Sequence, residues 1–229
     1  MRGRPGARRG VAAAAFAIAA TAGLASARAE GDRERGSPTR VDANDGFYGR
    51  FDGDLELRLH AGAAFAKGGP ALAASVTALY LSSVGVYAHY TDALGSDAPW
   101  VARSIATGVI LAPLFLARFG RNLEQGPAHL DLFIDSLGFE VGAFWDAPRG
   151  AGLRPAAGLE LALVLGVPIL PRASGPFLGL RGALRFRADD AAARASGDII
   201  DRGAVLSLTL GWNQILPAHL VDAGDRSLR

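Results

Sequence analysis

Cysteine is absent from this chain of 229 residues. That excludes a disulfide framework and any thiolate-held metal. An exported protein without cysteine must close its structure by other means, and the hydrogen bonding of a barrel is one. Other signatures are missing too. No Gly-Lys-Ser/Thr loop is present to cradle a phosphate. No glycine-flanked serine forms a nucleophile elbow. The four histidines, His60, His89, His129 and His219, have no metal-ligand spacing. The sequence therefore implies no cofactor and no metal. It speaks to place and architecture more than to chemistry.

A strong charge of one sign is lacking as well. The formal net charge is +2, and five of the arginines (Arg2, Arg4, Arg8, Arg9 and Arg28) lie in the first 29 residues, which carry no acid. That segment reads as a signal peptide: a basic start, an apolar run over 11–25, and the small-x-small pattern Ala27-Arg28-Ala29. Cleavage before Glu30 would leave the mature chain at −3. The basic pI is thus partly an export feature and does not indicate nucleic-acid binding. The competing reading of the segment is an uncleaved anchor.

What the chain does have is apolar residues and glycine. Half of it is hydrophobic, 30 residues are glycine, and the mean hydropathy is +0.20. That is high for a soluble domain and low for a helical membrane protein. The stretch that organises the rest is LELRLHAGAAF, residues 55–65. Leu55, Leu57, Leu59, Ala61, Ala63 and Phe65 share one parity, while Glu56, Arg58, His60, Gly62 and Ala64 share the other. Period two belongs to a strand whose side chains alternate faces.

The pattern predicts about eight strands, near 53–65, 71–81, 84–91, 101–112, 139–146, 157–169, 177–187 and 204–216. A polar linker over 30–52 precedes them and a polar tail over 217–229 follows. Phe47, Tyr48 and Phe51, late in the linker, suit a membrane boundary or the barrel rim. Between strands four and five, Gly126-Pro127 followed by AHLDLFIDSLG predicts a short helix. Its stripe is Leu130, Phe133, Ile134 and Leu137, and Asp131 and Asp135 lie four apart on one face. Those carboxylates could meet a partner or cap the barrel mouth. Alternatively, the apolar stripe packs on the rim or the lipid interface. Strand alternation is the competing reading of the segment.

Strand lengths match what crosses a bilayer at a tilt, roughly 9–11 residues. The even count returns both chain ends to one side. Aromatics gather near strand ends: Phe65, Tyr90, Trp100, Trp145, Phe177 and Trp212. They read as girdles at the two membrane interfaces. Connections on one side are mostly short and on the other mostly long. Taken together the chain resembles, over 53–216, the small eight-stranded outer-membrane barrels of Gram-negative bacteria. It departs from them at the end, because Trp212 lies well inside and the chain stops at Arg229. The resemblance implies an all-β, closed, antiparallel up-and-down transmembrane barrel in the outer membrane. Outer-membrane lipids and the barrel-assembly machinery would be its partners, and an unknown protein could dock on the 127–137 helix or the outward loops. Two architectures compete. A helical inner-membrane protein could use 70–90 and 101–119, although Glu56, Arg58, Arg181, Arg185 and Arg187 would be costly in hydrocarbon. A soluble periplasmic barrel of lipocalin shape would also close its edges.

In the barrel reading the charged parity faces the lumen. Glu56, Arg58, His60, His89, Glu140, Glu160, Arg181, Arg185 and Arg187, with Asn213, would meet there. An eight-stranded lumen is filled by side chains, so these charges should pair. The expected role is structural or interaction-based, with a narrow, porin-like pore as the nearest variant. The alternative is a lipid-modifying enzyme on the same barrel. It would use His60 or His89 as base and Ser75, Ser82, Ser83 or Ser104 as nucleophile. Nothing in the sequence places a serine beside either histidine, so the expectation is no enzyme.

Overall fold

The computed structural model describes residues 49–50, 53–66, 69–94, 103–121, 123, 127–147, 158–187 and 203–218. The signal peptide, most of the linker with Phe47, Tyr48 and Phe51, Trp100, and His219 with most of the tail fall outside the described residues.

Eight strands form one closed antiparallel barrel in sequence order. They are β1 (Leu55–Ala66), β2 (Gly69–Tyr80), β3 (Val84–Ala93), β4 (Arg103–Leu111), β5 (Gly138–Ala147), β6 (Gly158–Pro168), β7 (Gly175–Arg187) and β8 (Gly203–Leu216). Closure comes from β1 pairing with β8, Leu55 opposite Leu216 and Ala66 opposite Val205. Each expected strand is found, with ends that agree to within two residues.

The register carries a stagger. Stepping from Glu56 across paired residues leads to Leu79, Gly85, Ile110, Glu140, Ala162, Ala183 and Val205. The last step returns to Ala66, ten residues up β1 from the start. Such a shear tilts the strands by about 40° and leaves a lumen that side chains fill.

The apolar parity faces outward on every strand. Val86, Val109, Leu206 and Leu210 are each more than half exposed. Val76, Val141, Leu163 and Leu184 carry the same band around the rest of the barrel. The opposite parity is buried or half-buried along most of its length, with Glu56, Glu140, Glu160, Arg181 and Asn213 buried. This is the reverse of a water-soluble barrel, where leucines point in. The stretches at 70–90 and 101–119 that invite a helical reading are mostly strand, β2, β3 and β4. Among the described residues no helix is long and apolar enough to cross a membrane.

The β4–β5 connection holds two short helices where one was expected: α1 (Leu114–Phe119) and α2 (Ala128–Asp135). Pro113 and Pro127 stand at their starts, consistent with proline lacking the amide that a first turn leaves unpaired. The stretch for α1 was missed because LFLARF is too short to show a helical period. Both helices sit at the end of the barrel where the chain enters and leaves, here called the lower mouth. Arg50, in the supposedly loose linker, is buried there, with its guanidinium 5.0 Å from the Phe115 ring centre.

Candidate functional site

The buried parity brings acids and bases from distant strands together. Arg181 on β7 donates from Nε to Glu140 Oε2 on β5 at 2.7 Å, and from Nη2 to Glu160 Oε1 on β6. Arg185, two pleat repeats higher, donates from Nε to Glu160 Oε2 at 2.6 Å and from Nη1 to Ser104 Oγ at 3.0 Å. Arg185 Nη1 also lies 3.7 Å from Asp146 Oδ1, and His89 Nε2 lies 3.5 Å from Glu140 Oε1. The result is an alternating file: Asp146, Arg185, Glu160, Arg181, Glu140, His89.

Glu160 is 0 % exposed, Glu140 2 % and Arg181 5 %. Charges so deep persist only when each has a partner, because an unpaired one costs several kcal/mol. The bidentate reach of arginine suits it to bridging two carboxylates. Aromatic rings wall the file. The Arg185 guanidinium lies 4.9 Å from the Phe144 ring centre and that of Arg181 5.7 Å from Tyr87. Glycine makes room for them: a Cβ on Gly158 would lie 2.1 Å from Phe144, and one on Gly142 would lie 2.5 Å from the Tyr87 hydroxyl.

Lower down, Arg58 Nε donates to Glu56 Oε1 at 2.6 Å. His60 Nε2 is 2.9 Å from Asn213 Oδ1 and its Nδ1 is 3.5 Å from Thr209 Oγ1. Between this group and the file lies a cavity of about 50 Å³ lined by Arg58, His60, Ser75, His89, Glu140 and Arg181. A space of that size holds a few waters and no acyl chain.

The serine expectation needs correction. Ser75 is the cross-strand neighbour of both His60 on β1 and His89 on β3. Register creates this juxtaposition, and no local spacing announces it. The group faces the closed lumen, away from lipid. Ser82 and Ser83 are buried in the β2–β3 turn, and Ser104 is bound to Arg185.

Other expected residues fall as follows. The backbone of Arg187 pairs with Gly158 at the top of β7, and its side chain is outside the description. Phe65, Tyr90, Trp145 and Trp212 lie on outward parity. Phe177 does not: it is 1 % exposed and points into the lumen, on the parity of Arg181. Clustering by strand end alone could not separate it from the girdle, but its parity with Arg181 could. Asp146 joins the file though it was not expected to, and it too had the inward parity of Glu140. Asp131 and Asp135 bind Arg118 of α1, with Arg118 Nη1 2.9 Å from Asp135 Oδ1.

Solved structures resemble the chain distantly. Neisserial surface protein A matches at 13 % identity and a TM-score of 0.42, covering 71 % of this chain and 97 % of that one. The attachment invasion locus protein of Yersinia pestis matches at 9 % identity and a TM-score of 0.32, covering 70 % and 96 %. A second structure of that protein, in complex with the heparin analogue sucrose octasulfate, matches at 8 % and 0.31. These are small eight-stranded outer-membrane barrels of Gram-negative bacteria, the group this chain resembles. No family model and no curated protein matches the sequence. Closure and strand order here rest on the chain's own pairing.

Proposed function

We propose that the protein is an exported outer-membrane barrel with a structural or interaction role, its lumen stoppered by paired charges. The observation that carries this reading is the double inversion: most strand leucines and valines turn outward, while Glu56, Glu140, Glu160 and Arg181 are buried inside. An apolar belt far larger than the few hundred Å² tolerated on soluble proteins needs hydrocarbon around it. A lipocalin-like barrel would need the opposite arrangement. The signal segment at 1–29 supplies the export step that such a location requires.

The file from Asp146 to His89 crosses the lumen, and the cavity beside it among the described residues is water-sized. The resting barrel is therefore closed to solutes. In planar bilayers the native protein is expected to show no steady conductance, and Glu160→Ala or Arg185→Ala is expected to introduce conducting steps. Steady ohmic current through the native barrel would replace the stopper with a pore. Heat-modifiable mobility on a gel checks the barrel itself. An unchanged lipid A acyl pattern in cells with and without the gene is the outcome expected of a non-enzyme.

A further inference from the structure

The helical hairpin at the lower mouth is inside out, as the barrel is. In α2 the buried residues are Asp131 at 4 %, Leu132 at 0 % and Asp135 at 0 % exposure, while Leu130 is 48 % exposed. Of its apolar stripe, Leu130 thus faces outward, and Phe133, Ile134 and Leu137 are half-buried, away from the carboxylates. In α1, Phe115 is buried and Arg118 points to α2, while Leu116 and Phe119 are 42 % and 46 % exposed. Both helices therefore turn their ion pair inward, beside Phe115 and Leu132, and leave Leu116, Phe119 and Leu130 outward. A helix packed in water turns its charges out.

The hairpin is held this way from the barrel side. Ser136 Oγ, just past α2, donates to Gly166 O at 2.7 Å and accepts from Gly166 N at 2.8 Å, tying α2 to β6. Leu132 packs with Ala173 and Ile215 at the bottom of the barrel. With that face fixed, the stripe cannot rotate into the lumen.

We infer that the α1–α2 hairpin is an in-plane anchor seated in the headgroup boundary of the leaflet nearest the lower mouth. The occupant of its outer face is a phospholipid surface, and the argument is continuity. Leu111, the last residue of β4, is 51 % exposed and lies three residues before α1. Phe139, the second residue of β5, is 48 % exposed and lies four residues after α2. The outward band of β4 and β5 therefore leads into the outer faces of the helices, where Arg121 and His129 are exposed beside the apolar residues. An amphipathic helix at such a boundary buries its apolar side by about 5–10 Å. This inference rests on the membrane reading of the barrel, and the experiment separates the two.

The absence of native cysteine allows single-site labelling. Leu130→Cys and Leu210→Cys, each carrying an environment-sensitive fluorophore, are folded into phosphatidylcholine vesicles, with gel heat-modifiability as the folding check. Brominated lipids with bromine near the headgroup or near the bilayer centre act as quenchers, and iodide acts from water. The expected result is quenching of Leu130→Cys by the shallow bromine and protection from iodide, with Leu210→Cys quenched by the deep bromine. Iodide quenching at Leu130→Cys, with lipid quenching intact at Leu210→Cys, would overturn the anchor and leave the barrel in the membrane. Loss of lipid quenching at both sites would overturn the membrane reading itself. Protection at Leu130→Cys that appears only as protein density rises, without lipid quenching, would assign the face to a second copy and overturn the anchor.

Discussion

Arg181 and Glu140 lie 41 residues apart in the chain, on strands that do not pair, and meet across the lumen at 2.7 Å. The stagger of the barrel brings them to one height. Removing the arginine leaves Glu160 with Arg185 alone and Glu140 with no neighbour but His89. Arg181→Ala is expected to lower stability by about 3–5 kcal/mol, the usual cost of breaking a buried pair from one side. The double replacement Arg181→Met, Glu140→Gln should recover most of it, since Glu160 keeps Arg185 and no charge is stranded. Urea unfolding from phospholipid vesicles, followed by tryptophan fluorescence, gives both values. A small loss in the single variant would mean that water already reaches the file.

The β2–β3 turn contains a local strain. Leu81 and Ser82 have φ of 48° and 50°, and Ser83 N donates to Tyr80 O at 3.0 Å. Two central residues with positive φ make the tight hairpin turn that asparagine and glycine favour. A leucine held there costs roughly 1–2 kcal/mol. Leu81→Gly should therefore stabilise the folded barrel by about 1 kcal/mol, read as a rise in the urea midpoint with an unchanged slope. Ser82 is left alone because it is buried beside Glu56. A lower midpoint would show that the leucine side chain contributes more than its backbone costs.

Burial holds the Asp135 carboxyl above its ordinary range even with Arg118 and Arg50 near it. Burial acts on Arg50 in the opposite sense and lowers its value, although Glu56 and Asp135 draw it back up. For Arg118 burial also lowers, but the carboxylates of Asp131 and Asp135 outweigh it. The sign for Asp135 follows from linkage. The folded state holds that proton more tightly than the unfolded chain, so the contribution is full below the ordinary aspartate range and is lost as pH rises through the raised value. Hydrogen-exchange protection of α2 amides should fall from acid toward neutral pH. In Asp135→Asn, which stays neutral throughout, the decline should flatten. A native protection profile that climbs over the same window would mean that the Arg118 pair outweighs burial.

The strands were legible because period two survives in any membrane barrel: lipid and lumen enforce opposite chemistry on alternate residues. The same rule separates Leu55 from Glu56 and Leu184 from Arg185 without any structure. Register was not legible. Ser75 sits between His60 and His89 because of how far β2 slides along β1 and β3, and no residue type declares that distance. The orientation of α2 was open for a related reason. A stripe of Leu130, Phe133, Ile134 and Leu137 identifies a face but not the side it turns to. Arg118, in a helix too short to detect, decides it by drawing Asp131 and Asp135 inward. Arg50 escaped because a single buried arginine in a polar segment has no periodic companion.

The outward leucines offer the sharpest separation between a membrane barrel and a soluble one. Leu210 lies midway along β8 and is 56 % exposed, and its neighbour Thr209 points the other way and is 8 % exposed. In water Leu210→Arg would place a charge on an exposed surface position and change stability by no more than about 0.5 kcal/mol. At the middle of a bilayer the same change costs about 2–4 kcal/mol, and less toward either interface. Leu206→Arg, nearer the strand's upper end and equally exposed at 56 %, should therefore cost less than Leu210→Arg. Folding titrations of both variants in phospholipid vesicles measure the difference. A depth-dependent pair of losses is the outcome expected of lipid around β8. Equal, negligible losses would mean that solvent surrounds it.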